Sequence, residues 1–337
     1  MRMPEGKKSL FLYENERYKF SDYKIDNDMI VPVQGATQIK YDPFKYFHEK
    51  RKQYARENYQ NIHTSFASIN IDNLEEILNW VKLFGVPYSK YKDEMGKYHI
   101  NFPTVNRQQV HKVVDEISVD DFKRSVIDFK VTVTLINALK KPVGDNLKFI
   151  KHIVHTRRFK DIYDELESKA VMRTTQADEE HTLDGLIMEW ENTSPMTREE
   201  MKLYEESYDW VKEYGGEINL AEGYIALYLE HVTKDVNETY TVRNGELLVG
   251  WNAPSLLGLL YKMLILEWSK GADIIKCHNK TCNKFFLPNS NNNNRYCSEE
   301  CSNSERQRVY RKNHEKELAE KRKQKSKKIK VTLSKEQ

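Results

Sequence analysis

The residues with the most definite chemical spacing are four cysteines, Cys277, Cys282, Cys297 and Cys301, separated by four, 14 and three residues. The 276 residues before them contain no cysteine. Two close pairs flanking a short loop can deliver four sulfurs to one tetrahedral ion, and thiolate is the soft ligand that zinc accepts. Four thiolates close the coordination shell. The expected cofactor is therefore one structural Zn2+, with no open position for a reacting water. Two disulfides or four unrelated buried thiols are the competing readings. An intracellular chain argues against the first, and the confinement of every cysteine to 25 residues argues against the second.

The surrounding residues add shape. Phe285-Phe286-Leu287 supplies an apolar anchor, and Asn289 to Asn294 is a turn-prone run made almost wholly of asparagine. Ser298 is placed to cap a helix that contains Cys301 and continues into a basic segment. A knuckle, a hairpin and a helix bearing the last ligand describe a treble clef. Arg306, Arg308, Arg311 and Lys312 follow the last cysteine, and Arg295 precedes the third. On a helix pinned by metal, arginine binds phosphate bidentately while lysine acts as a point charge. These five residues are the expected nucleic-acid contacts, with Tyr310 packing or stacking beside them. Glu305, Glu315, Glu317 and Glu320 could instead neutralise a merely solvated helix. The tail from Lys321 to Lys330, which has no acidic residue, favours a polyanion partner.

At Cys277, Cys282, Phe286, Tyr296-Cys297-Ser298, Cys301 and Arg308-Val309-Tyr310-Arg311 the chain resembles the CGNR zinc-finger family of bacterial proteins. Trp251-Asn252-Ala253-Pro254-Ser255-Leu256-Leu257 is similar to the segment that precedes the finger in such proteins, so the resemblance covers about residues 250–312. It implies a DNA-binding transcriptional regulator. The family's name motif falls on Cys301-Ser302-Asn303-Ser304, where serine stands in place of both the glycine and the arginine. That departure leaves the metal ligands intact and removes a cation assigned to DNA.

Other reactive residues form no comparable pattern. His152 and His155 are spaced for one helix face, but no carboxylate stands at ligand spacing beside them. Asp178-Glu179-Glu180-His181 reads as a solvated acidic loop, and His278, Asn279 and His314 lack the histidine pair of a metal-dependent nuclease. A phosphate-cradling glycine loop and a nucleophile elbow are also missing. The expectation is a binding protein and not an enzyme. A zinc-dependent protein-interaction adaptor, in stress response or phage defence, is the alternative.

The elements that position the cysteines must come from an acidic body. Residues 276–337 hold 17 Lys/Arg against 7 Asp/Glu, whereas residues 1–275 hold 37 against 44. Such asymmetry suits a protein that meets a polyanion at one end. The 337 residues are 39% hydrophobic and include 38 aromatics, with 13 Gly and 9 Pro, which excludes disordered and collagen-like chains. Met1 to Lys8 leads into an apolar run too short for a signal core, so a cytoplasmic protein is expected.

The first forty residues read as irregular or weakly β, followed by a polar helix from Asp42-Pro43 to about Asn58. Residues 1–60 are taken as an N-terminal segment. An α-rich domain is expected over 61–175, opening with a capping box at Asp72-Asn73-Leu74-Glu75 and an apolar stripe of Leu74, Ile77, Leu78, Val81 and Phe84 closed by Gly85. A short strand at Tyr98 to Phe102 and helices over about 106–117, 119–140 and 146–171 follow. Asp145 is expected to cap the last helix after the break at Pro142-Val143-Gly144.

A second α-rich domain is placed at 195–275. It comprises a helix from the capping box at Thr197 to Gly215-Gly216, another over about 220–232, a hairpin turning at Asn244-Gly245, and a buried helix from Pro254 to Gly271. The finger is 276–312 and the basic tail 313–337. The fold class is mainly α with minor β, a multi-helix body followed by a treble-clef-like finger and a basic helix.

Overall fold

The computed structural model describes residues 17–41, 61–88, 90–92, 98–100, 116–155, 159, 163, 164, 166, 209–234, 236–243, 246–253, 255–282, 284–288 and 295–314. The expected helix at 42–58, residues 106–115 of the one expected over about 106–117, the Thr197 capping box, the acidic loop at 178–181, the hairpin turn at 244–245 and the basic tail after residue 314 lie outside these residues. Among the described residues the architecture is mainly α with minor β, as the sequence implies. No described helix is long and apolar enough to cross a membrane.

The described part of the N-terminal segment, residues 17–41, is β. Strands β1 (Arg17–Phe20) and β4 (Gln38–Tyr41) pair antiparallel, enclosing the hairpin of β2 (Tyr23–Asp26) and β3 (Met29–Pro32). Asn27 and Asp28 turn that hairpin with φ of 50° and 60°, the left-handed region that these two residue types tolerate. A third strand, β7 (Ile117–Ser118), extends the β2–β3 sheet, with Ile30 opposite Ile117. Ile117, the expected last residue of the helix over about 106–117, is therefore in a strand, because it is fully buried against Ile30.

Helix α1 (Ile62–Ala67) is buried along its whole length, and α2 (Leu74–Phe84) follows. The N-cap of α2 is Asn73 and not Asp72: Asn73 Oδ1 accepts from the backbone N–H groups of Glu75 and Glu76. The cap shift leaves Leu74 46% exposed at the helix start. Ile77, Trp80, Val81 and Phe84 are the residues that turn inward. Gly85 closes the helix with φ of 77°, a conformation that glycine adopts without Cβ strain. The short pair β5 (Lys90–Lys92) and β6 (Tyr98–Ile100) accounts for the expected strand near Tyr98.

Helix α3 (Val119–Lys140) matches its expected span and is capped by Ser118, which accepts from the N–H of Asp121. Next comes α4 (Asp145–Val154), whose N-cap is Gly144 at φ 59°, with Asp145 the first helical residue. A carboxylate at that position still meets the positive end of the helix dipole. Of the helix expected over 146–171, α4 covers the part up to Val154 and is closed by His155; residues 159, 163, 164 and 166, the described ones beyond it, are again helical.

Helix α5 (Glu217–Thr233) begins after Gly216, and strands β8 (Asn237–Arg243) and β9 (Glu246–Asn252) form the expected hairpin with Arg243 opposite Glu246. Helix α6 (Leu256–Ser269) is buried as expected, its cap being Ser255, which accepts from Gly258 N–H.

These helices share one apolar core in which α3 meets α1, α4, α5 and α6. Phe66, Trp80, Phe122, Phe129 and Tyr261 form its aromatic centre, with Phe66 and Trp80 centroids 4.9 Å apart and Phe129 and Tyr261 also at 4.9 Å. Polar tips within it are satisfied locally: Trp80 Nε1 donates to Ser65 Oγ at 3.1 Å, and the Tyr228 and Tyr261 hydroxyls lie 2.9 Å apart.

His63 on α1 is different. It is fully buried and neither ring nitrogen has a hydrogen-bond partner, so burial pushes its pKa down to about 3. An unfolded chain protonates this histidine near its ordinary value of about 6.5, while the folded chain does not until about pH 3. The sign is thus fixed: stability is complete above about pH 6.5 and falls as the solution is acidified, by about 1.4 kcal/mol per pH unit from this group. In urea unfolding compared between pH 7 and pH 5, His63→Leu should lose less stability than the parent, and equal losses would contradict the assignment.

Candidate metal centre

The finger begins where the body ends. Strand β10 (Ile275–Lys276) pairs antiparallel with β11 (Phe285–Phe286), folding the first knuckle between them. Inside it Cys277 N–H donates to Lys284 O at 2.9 Å and Cys282 N–H to Asn279 O at 2.8 Å. The second pair sits at the start of helix α7 (Glu299–Asn313), which Ser298 caps as expected by accepting from Cys301 N–H. A backbone bond from His278 N–H to Arg295 O at 2.9 Å ties the knuckle to the segment entering α7. Local folding therefore brings the two halves of the ligand set together.

The four sulfurs all lie within 4.8 Å of one another. Cys282 Sγ is 3.6 Å from Cys297 Sγ, and Cys297 Sγ is 3.5 Å from Cys301 Sγ. A tetrahedron with Zn–S bonds of about 2.3 Å has edges of about 3.8 Å, so the donor set fits this ion. Cys277, Cys282, Cys297 and Cys301 hold a structural Zn2+, which supplies cross-linking charge and no open coordination site. Among the described residues no other group of three His, Cys, Asp or Glu side chains converges in this way.

The surroundings of the thiols disfavour their joint ionisation unless a cation is bound. Burial, and then contact with the neighbouring sulfurs, pushes Cys297 well above the ordinary thiol range, and burial pushes Cys282 up as well. Cys301 is also partly desolvated, but hydrogen bonds from Cys297, Ser298, Cys282 and Asn279 outweigh this and lower it. A bound divalent ion reverses the balance and deprotonates its ligands outright.

Asn279 was not identified from the sequence as part of the centre. It is buried, its Oδ1 accepts from the N–H and hydroxyl of Thr281 at 3.2 and 3.0 Å, and it lies close enough to Cys301 to help lower that thiol's pKa. Its only sequence signal was an Asx-turn residue inside a knuckle. His278 is exposed, its ring 6.4 Å from that of Tyr296, and is not a ligand.

The finger is also fixed to the body. Phe285 and Phe286 are buried, and Phe285 joins the body's apolar core. Ser68, at the end of α1, accepts the N–H of Phe285 at 2.9 Å and donates to Thr64 O at 2.6 Å. From α3, Asn137 donates to Ile274 O and Lys140 Nζ to Ala272 O at 2.8 Å.

Of the expected nucleic-acid contacts, Arg295, Arg306, Tyr310, Arg311 and Lys312 are exposed. Arg308 is half-buried and forks onto Glu305, with Nε at 2.8 Å from Oε2. His155, expected to have no carboxylate nearby in sequence, meets Glu217 of α5 at 3.4 Å, and Lys151 lies 3.5 Å from the same oxygen. Burial lowers the pKa of His155 despite that carboxylate.

This geometry defines a four-thiolate metal finger seated on an α-rich body. Residues 274–314 match the CGNR zinc finger family. No curated protein and no solved structure matches the chain.

Purified protein should contain one zinc per chain. Asn279→Ala should weaken zinc binding by about 10- to 100-fold, as read by competition with a chromogenic chelator. Ser68→Ala strands the buried Phe285 N–H and should cost about 1–3 kcal/mol in urea unfolding while leaving zinc content unchanged.

Proposed function

We propose that this chain is a nucleic-acid-binding protein that grips its target through α7, with DNA the expected partner and transcriptional regulation the role. In this reading the knuckle, hairpin and ligand-bearing helix form a treble clef, and the protein works in the cytoplasm. The observation that carries it is the exposure of Arg295, Arg306, Arg311 and Lys312 on and beside a helix that the metal and the Ser298 cap hold rigid. Rigidity matters because a fixed guanidinium loses less entropy on binding phosphate than one on a fraying end.

The charge division supports the same reading. A surplus of cations after residue 275 and of anions before it directs a polyanion to the finger and away from the body. Arg308 adds to the field while remaining bound to Glu305. The match of residues 274–314 to the CGNR zinc finger supports DNA as the polyanion through what that family resemblance implies.

Gel mobility with duplex DNA over a salt series tests this. If about five phosphates are neutralised, log Kobs should fall with log salt at a slope of about −4 to −5. Arg306→Glu with Arg311→Glu should weaken binding and make the slope shallower by about 2. Unchanged binding would remove α7 from the interface.

A further inference from the structure

Helix α7 has two unlike ends. Glu299 and Glu300 occupy its first turn, both exposed, and Arg311 and Lys312 its last. A recognition helix that reads a duplex major groove commonly does so with its N-terminal residues. Here those residues are acidic and would face phosphates, so a polynucleotide is directed to the C-terminal half.

That half carries an aromatic feature that phosphate binding does not use. Tyr310 is 54% exposed, and the imidazole of His314 stacks on it with centroids 4.2 Å apart at 24°. The imidazole is held in place: His314 Nδ1 donates to Tyr310 O at 3.0 Å, and His314 N–H reaches the same carbonyl at 3.0 Å. Backing by a fixed ring restrains the tyrosine in an orientation that a flat ligand can use. At about 100° per residue, Asn303, Arg306, Gln307, Tyr310 and His314 fall on one side of α7, opposite Cys301 and Glu305. Of these, Asn303, Arg306, Gln307 and Tyr310 are exposed. Arg306 stands one turn before Tyr310 and Arg311 directly after it.

We infer that the Tyr310–His314 stack is a platform for an unpaired base, flanked by Arg306 and Arg311 on the adjoining phosphates, so that the preferred ligand is a strand with unpaired bases and not a closed duplex. The inference rests on the nucleic-acid reading above. Aromatic platforms combined with cations are the means by which proteins bind single strands, since every base offers a π face whereas a paired, stacked base does not. The ligand chemistry is shared by single-stranded DNA and by an RNA loop.

The test uses full-length, zinc-loaded protein and fluorescence anisotropy with oligo(dT) and oligo(rU) of about 12 nucleotides, a duplex of equal length, and oligo(dT) with abasic positions. Oligo(dT) or oligo(rU) should bind more tightly than the duplex, and the tighter of the two identifies the sugar. Tyr310→Ala should lower single-strand affinity by about tenfold with the salt slope unchanged, and Tyr310→Phe should restore it. Abasic substitution should weaken the parent protein and not Tyr310→Ala, because the two changes remove the same contact.

Tighter duplex binding, or equal abasic losses in parent and variant, would overturn the platform while leaving nucleic-acid binding intact. Failure to bind any of the four probes would overturn both readings. Tyr310 lies on the surface, so its substitution does not threaten folding.

Discussion

Four sulfurs held within 4.8 Å of one another can all be ionised together only if a cation sits among them. Burial and proximity resist ionisation of Cys282 and Cys297, and four thiolates without a metal would repel one another at short range. The finger has few apolar residues with which to cohere by itself. Its largest, Phe285 and Phe286, are buried, and Phe285 is part of the body's core. Two separate interactions therefore do two jobs. The metal ties the knuckle to α7, and the phenylalanines tie the knuckle to the body.

The second tie has a defined path. Ser68 ends the fully buried helix α1 and bonds to Phe285, while Asn137 and Lys140 at the end of α3 bond the carbonyls that lead into β10. Both helices also contribute to the aromatic core, through Phe66 on α1 and Phe129 on α3, whose rings are 5.6 Å apart. The mount of α7 is thus continuous with the best-packed part of the molecule. A shift of α1 against α3 would have to move the hairpin or break the Ser68 bond. His63 lies on that same short helix as an unpartnered buried imidazole, so the support of the finger includes a residue that disfavours acid.

What could be read from the sequence was local. The cysteine spacing identified the donor set because two knuckle-forming pairs and a short loop leave few geometries. The Ser298 cap, the span of α3 and the burial of α6 were equally legible, each being fixed within a few residues. Two caps were misplaced by one residue, at Asn73 and Gly144, where adjacent residues of similar capping ability compete and backbone conformation decides. Strand β7 was missed because two residues become a strand only through Ile30, a partner far away in the chain. Ser68 with Phe285, and His155 with Glu217, were invisible for the same reason: sequence patterns report periodicity within an element and not which element packs against it.

Serine at positions 302 and 304 gives the departure from the family motif a physical meaning. Both positions lie in the first half of α7, where Ser304 is exposed and Ser302 half-buried. An arginine at 304 would have offset Glu299 and Glu300; a serine leaves the helix start net negative. The cations of α7 are then all at or beyond Arg306, and Glu305 already holds Arg308. Part of this gradient is what the helix dipole rewards, acid at the N-terminus and base at the C-terminus. The dipole does not account for an exposed tyrosine backed by a hydrogen-bonded imidazole among those cations. Helix stability favours the charge order, whereas the Tyr310–His314 stack adds nothing to the core and faces the side of α7 turned away from the metal.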